Sequence, residues 1–141
     1  MANALTLRVI TPDRIALDKE VSSVSVPAVD GSLGILPRHA PLIAALAAGL
    51  LHYTENGKTQ VMFVSGGFAE VHDNTVRVVT EAGERPDEID EERAREAEKR
   101  ARERLAAGQD LAQGDPIDML RAESALRRAI MRLSARGWSG G

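Results

Sequence analysis

The chain has 141 residues, no cysteine and a formal net charge of −3. That length allows one or two small domains, the missing thiols exclude disulfides and thiolate metal sites, and the charge argues against a general nucleic-acid binder. Hydrophobic residues make up 43% but aromatics only 3%, so a core has to be built from Val, Leu, Ile and Ala.

Leu5, Leu7 and Val9 alternate with Thr6, Arg8 and Ile10, the period of a half-buried strand. Thr11-Pro12-Asp13-Arg14 is a turn, after which Ile15 and Leu17 resume the alternation and Val21, Val24 and Val26 follow. Gly49 to Thr54 reads as a strand, and Asn56-Gly57 joins it to Thr59–Ser65 as a hairpin. Gly66-Gly67 marks a bulge or close packing, Phe68 to Val71 continues, and Asp73-Asn74 turns into Thr75–Thr80. Leu42 to Ala48 is ambiguous by pattern and is read as extended, because prolines and glycines hem it in. Many short strands with no helix between them predict an antiparallel β-sandwich or barrel.

Between Val26 and Leu42 lies Gly31-Ser32-Leu33-Gly34-Ile35-Leu36-Pro37-Arg38-His39-Ala40-Pro41. Two prolines remove donors and two glycines permit positive φ, so a stiff, partly apolar loop is predicted rather than a central strand. It has two readings: a loop packed on its own core, or a docking edge for a partner. His39 has the same two, a hydrogen bond that pins the loop or a direct contact. His39, His52 and His72 lack an HxH or HExxH spacing, which makes a metal site unexpected. Ser65 lacks the G-x-S-x-G setting of a nucleophile and reads as structural.

Composition changes near Gly83, where Ala, Arg and Glu take over. The boundary is placed between Gly83 and Asp87, giving a β domain over 1–84, a helical hairpin over 87–136 and a mobile tail over 137–141. Asp87 is read as the cap of the first helix, with acidic residues complementing the helix dipole. Glu91 with Arg95, Glu96 with Arg100 and Glu98 with Arg102 are i, i+4 pairs in the favourable order. Ile89, Ala94, Ala97, Ala101 and Leu105 form a thin apolar stripe. Gly108 to Gly114 reads as a polar connector, Asp115 as the second cap and Pro116 as the first helical residue. Ala122, Ala125, Leu126, Ala129, Ile130 and Leu133 supply the inner face, and Gly137 ends the helix. The fold class expected is α+β, an N-terminal antiparallel β-sandwich followed by a two-helix antiparallel hairpin.

The first helix opens Ile89-Asp90-Glu91-Glu92-Arg93-Ala94 and the second Ile117-Asp118-Met119-Leu120-Arg121-Ala122, an echo that shared helix-start chemistry also explains. Arg93 and Arg100 share one helix face, and Arg128 and Arg132 share another. If those faces converge, four guanidiniums surround one space suited to a polyphosphate. The alternative is a solvated basic face. From Met119 to Arg136 five arginines stand against one glutamate, so a free second helix could also dock on an acidic surface. No signal or transit segment is read, and the run Leu42 to Leu51 is too short to span a bilayer.

The stretch Gly31 to Leu42 resembles the signature loop of the epsilon subunits of F-type ATP synthases, typically Gly-Glu-Leu-Gly-Ile-(Leu/Tyr)-Pro-Gly-His-Ala-Pro-Leu. Ser32 replaces the frequent glutamate and Arg38 the usual glycine. The resemblance extends over nearly the whole chain. In some bacterial members an Ile/Leu-Asp-x-x-Arg-Ala motif belongs to a regulatory ATP site between the folded helices. Here Ile89, Asp90, Arg93 and Ala94 match it, Glu84 stands at the upstream glutamate, and Arg100, Arg128 and Arg132 fall at the arginine positions. The connector is longer than in those relatives. There is no Walker A pattern, so binding without hydrolysis is implied.

The resemblance implies a non-catalytic rotor subunit that couples proton flow to ATP synthesis, peripheral on the cytoplasmic face of the bacterial membrane. The sandwich would bind the gamma subunit and the c-subunit ring, with Ser32, Ile35, Arg38 and His39 as ring contacts. The hairpin would be a switch: extended, it reaches a catalytic beta subunit and blocks hydrolysis, and ATP on the folded form opposes this. No cofactor is required and no metal is implied. The rival reading is a constitutive coupling module without sensing. A stand-alone hydrolase is a third, disfavoured by the lack of a nucleophile–base set.

Overall fold

The alternation in the first half of the chain is realised strand by strand. In a computed structural model, which describes residues 3–110 and 116–140, it forms β1 (Leu5–Ile10), β2 (Ile15–Val21), β3 (Ser23–Ala28), β4 (Gly31–Ile35), β5 (Leu42–Leu46), β6 (Gly49–Glu55), β7 (Lys58–Val64), β8 (Gly67–His72), β9 (Thr75–Val79) and β10 (Gly83–Glu84). Hydrogen bonding runs β10-β7-β6-β3-β5-β8-β9-β1-β2, with β4 paired only to β3. Among the described residues every strand pair is antiparallel except β1 with β9. The result is a β-sandwich. Its interior holds Leu5, Leu7 and Val9 of β1, Leu51 and Tyr53 of β6, Met62 and Val64 of β7, and Val76 and Val78 of β9.

The turns follow from residues that accept positive φ. Asn56 (52°) and Gly57 (78°) close β6 onto β7, and Asp73 (48°) and Asn74 (58°) close β8 onto β9. Gly67 has no substitute: a Cβ there would lie 1.9 Å from the Val79 carbonyl oxygen. Leu42 to Leu46 is extended, as read, and pairs with β8.

One local expectation is corrected at the start of the signature stretch. Gly31–Ile35 is a strand, β4, and not a loop. Its glycines do not prevent pairing, because β4 is an edge that needs partners on one side only, and Val24 to Ala28 of β3 supplies them.

Two helices follow a 3₁₀ turn at Pro86–Glu88: α1 (Glu91–Asp110) and α2 (Pro116–Arg136). The cap of α1 is Asp90, not Asp87. The Arg93 N–H donates to Asp90 Oδ1 at 3.1 Å, while Asp87 sits inside the 3₁₀ turn. Gly108 does not begin the connector, since α1 continues through it. A Cβ at Gly108 would lie 2.2 Å from Met119 Sδ, so the glycine serves close helix approach. The remainder of the connector, 111–114, and the proposed cap Asp115 lie outside the described residues. Along the rest of the hairpin Ala94 and Ala101 of α1, and Ala122 and Ala129 of α2, are all buried. Small residues on both faces let the two backbones come together. The helix ends at Gly137, whose N–H donates to Leu133 O at 3.0 Å.

The hairpin docks through α2, which packs on β6, β7 and the 3₁₀ turn. Val61 and Phe63 of β7, with Ile89 and Ala135, form a second small core, flanked by Leu50, Ala82, Met131 and Trp138. Trp138 was expected in a mobile tail. It is instead packed here, its ring edge-on to His52 at 5.2 Å between centroids.

Candidate functional site

Three parts of the surface carry the residues singled out in the sequence. The first is a cavity of about 380 Å³ at the junction of sandwich and hairpin. Glu84 at the end of β10, Asp90, Arg93, Ala94 and Arg100 of the α1 segment, and Arg132 of α2 all line it. Six of the eight predicted nucleotide-site residues are therefore brought together. Two are not. Ile89 is buried in the seam beneath α2, and Arg128 does not line the cavity. The picture of four converging guanidiniums is corrected to three, because Arg132 is the residue of α2 that reaches the wall and Arg128 does not.

The cavity is also more acidic than expected. Glu88 and Glu96 join Glu84 and Asp90 on its wall, so four carboxylates face three guanidiniums. Arg132 is already engaged. Its Nε donates to Glu84 Oε1 at 2.7 Å, and its Cζ lies 4.5 Å from the Phe63 ring centroid. Glu88 is engaged as well: Arg14 Nη2 lies 2.9 Å from its Oε2, and the Arg85 N–H donates to its Oε1 at 2.9 Å. Burial alone would push the Glu88 carboxyl up, but the Arg85 N–H, the Arg14 hydrogen bond and both positive charges outweigh it and hold the carboxyl below its ordinary range. The spacing of Glu96 and Ala97, three and four residues after Arg93, places them on the same helix face, a signal available in the sequence. Nothing in the sequence marks Glu88.

The second part is the turn Leu36-Pro37-Arg38-His39. The His39 N–H donates to Leu36 O at 3.1 Å, with Pro37 and Arg38 between them. Arg38 has φ 65°, the left-handed conformation that a type II turn, with proline second, demands at its third residue. The glycine usual in the resembling loops meets that demand without strain. The Arg38 N–H donates to Asn74 Oδ1, and Asn74 Nδ2 donates to Ala4 O, both at 2.8 Å. Asn74 thus ties the turn to the N-terminal strand, a role sequence reading missed. His39 Nδ1 is 2.8 Å from Ala40 O, and Ser32 Oγ 2.8 Å from Ser25 Oγ. Ile35 is corrected as a contact candidate: it is fully buried in the sandwich core because its side chain alternates inward from β4. The apolar group this stretch presents is Leu36, 63% exposed.

The third part emerges from strand register. Ala45, Phe68, Val79, Ile10 and Ile15 are successive neighbours across β5, β8, β9, β1 and β2. They alternate with the buried Leu46, Ala69, Val78 and Val9, and so form an apolar row on the outer face. Phe68 is 42% and Ile15 59% exposed. Among the described residues the hairpin packs on β6 and β7, not on the strands that carry the exposed Phe68 and Ile15.

Comparison with known proteins places these features. The family model described as ATP synthase, Delta/Epsilon chain, beta-sandwich domain matches residues 4–86, and that for the long alpha-helix domain of the same chain matches residues 87–137. The ATP synthase epsilon chain of Nitratidesulfovibrio vulgaris (strain DP4) is 46% identical over 137 residues, 97% of this chain and 98% of its own length. That of Desulforamulus reducens is 43% identical over 135 residues, covering 96% and 98%. Among solved structures, a chain of the Euglena gracilis mitochondrial ATP synthase OSCP/F1/c-ring assembly in rotational state 1 aligns with a TM-score of 0.77 and 26% identity, over 94% of this chain and 81% of that one. Sandwich, hairpin and sequence thus agree along nearly the full length, and the chain belongs to the ATP synthase delta/epsilon chain family.

Proposed function

We propose that this chain is a non-catalytic rotor subunit of the central stalk of a proton-translocating F-type ATP synthase, and that its hairpin is a nucleotide-responsive switch. The sandwich seats on the gamma subunit through the outer apolar row, where Phe68 and Ile15 stand exposed. The turn Leu36 to His39 meets the c-subunit ring, with Arg38 and His39 as polar contacts and Leu36 as the apolar one. The assembly sits at the cytoplasmic face of the bacterial membrane. Its attachment there is through the ring; among the described residues no helix is long and apolar enough to cross a membrane.

The observation that carries the switch is the composition of the cavity wall. It is built jointly from the last strand, α1 and α2. A ligand bridging these elements favours the closed hairpin by its differential affinity for the two states. Arg93 and Arg100, seven residues apart on one face of α1, offer guanidinium forks to phosphate oxygens. Released, α2 presents its arginines to an acidic segment of a catalytic beta subunit and blocks hydrolysis; ATP opposes release. The four wall carboxylates favour a second reading, a coupling module whose hairpin stays closed without sensing ATP.

Calorimetric titration of the full chain with ATP decides between them. Saturable binding weakened at least tenfold by both Arg93→Ala and Arg100→Ala is expected. Absence of saturable binding, or binding indifferent to both changes, removes the sensor. In a reconstituted complex, deleting residues 87–141 is expected to raise ATP hydrolysis and to make it insensitive to pre-incubation with ATP.

A further inference from the structure

Glu84 stands at the nucleotide position implied by family resemblance, yet its carboxylate is bonded to the protein itself. It accepts from Arg132 Nε at 2.7 Å, with the two side chains 29% and 28% exposed. Glu84 and Phe63 are register partners on β10 and β7. One guanidinium from α2 is therefore held at once by a carboxylate and by an aromatic face, both belonging to the sandwich. Among the described residues this is the one ion pair that joins α2 to the sandwich. Two of the other three carboxylates of the cavity wall are committed differently: Glu88 is bonded to Arg14 and Arg85, and Asp90 caps α1.

We infer that Glu84 is a clasp and an internal competitor, and not a ligand group: it fastens the closed hairpin through Arg132 and contends with an incoming polyphosphate for that guanidinium. This rests on the nucleotide reading of the cavity. A carboxylate and a phosphoryl group bind guanidinium in the same way, through N–H donors on one edge. An anion that reaches Arg132 has to displace Glu84 or lie beside its negative charge, and either lowers affinity. The clasp sets how much nucleotide is needed to hold the hairpin closed beyond what the protein achieves alone.

Glu84→Gln keeps the size of the side chain and removes the charge. Two measurements on the full chain test it. The first uses Trp138, the sole tryptophan, which packs between α2 and β6. Without ligand, Glu84→Gln is expected to red-shift its emission and to speed tryptic cleavage within α2. Arg132→Gln is expected to do the same, and the double variant no more than either alone. The second is calorimetry with ATP, corrected for the closed fraction read from the emission. After correction, Glu84→Gln is expected to bind ATP at least tenfold tighter than the parent. Equal or weaker corrected binding makes Glu84 a bystander or a ligand contact and overturns the competition. Unchanged emission and cleavage overturn the clasp. If neither protein binds ATP, the nucleotide reading fails and the competition falls with it, while the emission and cleavage results still decide the clasp.

Discussion

Replacing Arg38 by glycine is expected to stabilise the chain. Arg38 holds φ 65° at the third position of the turn Leu36 to His39. For a residue with a Cβ the left-handed conformation costs about 1–2 kcal/mol. Glycine escapes that cost but loses about 0.5–1 kcal/mol through its freer unfolded chain. The difference is a gain of up to about 1.5 kcal/mol, centred on about 0.75 kcal/mol. The two hydrogen bonds that define the turn are unaffected, because they use the backbone N–H groups of Arg38 and His39. Among the described residues the Arg38 side chain makes no ion pair that the change would break. Urea unfolding followed by far-ultraviolet circular dichroism measures the effect as a higher midpoint at unchanged slope. Arg38→Val, β-branched at the same φ, should move the midpoint the other way. A glycine variant less stable than the parent refutes the strain argument. The same pair addresses function: if Arg38 contacts the ring, the glycine variant gains stability while losing affinity for it.

Gly67→Ala places a methyl 1.9 Å from the Val79 carbonyl oxygen at φ 99°, and at least about 2 kcal/mol of stability should be lost in the same assay. Asn74→Ala leaves the Arg38 N–H and Ala4 C=O without their partner and keeps a Cβ at φ 58°; a loss of about 1–3 kcal/mol is expected, with amide exchange of Arg38 accelerated. Glu88 has a folded-state carboxyl held below its ordinary range, so its contribution is present above about pH 4.3 and is lost as pH falls through the folded value. An acid titration of stability should be shallower in Glu88→Gln than in the parent below that pH, and identical slopes would show that the Arg14 and Arg85 contacts contribute nothing.

The sandwich was legible because its signals are local. Period-two alternation and the pairs Asn56-Gly57 and Asp73-Asn74 each act within a few residues, and the strands and hairpins formed where those signals stood. Misreadings arose where a distant partner decided the outcome. Gly31–Ile35 became a strand because β3 was beside it, which its own glycines do not disclose. Gly108 lies within α1 and not in the connector, and the space of its missing side chain is filled by Met119 of the other helix. The cap moved from Asp87 to Asp90 because Pro86–Glu88 turned as 3₁₀ first, bonded to Arg14 from the turn between β1 and β2. One long-range signal did stand in the sequence unread: Val61-Met62-Phe63-Val64 is a continuous apolar run. Such a run marks a strand covered on both faces, here by the sandwich core and by α2.

That run bears on how the switch works. Phe63 is where the seam, the cation–π contact and the Glu84 clasp meet, since it is buried under α2, lies beneath Arg132 and is the register partner of Glu84. Removing its ring should cost about 3–5 kcal/mol if the hairpin stays docked over the resulting gap. A hairpin free to detach avoids part of that cost by opening, because the residue then faces water. Phe63→Ala should therefore unfold the sandwich less than a fully internal change such as Met62→Ala relative to the side chain removed, and should expose Trp138 before the sandwich melts. Coincident loss of Trp138 packing and of sheet structure in Phe63→Ala would mean that hairpin and sandwich form one cooperative unit. No separate open state would then be available for a ligand to oppose.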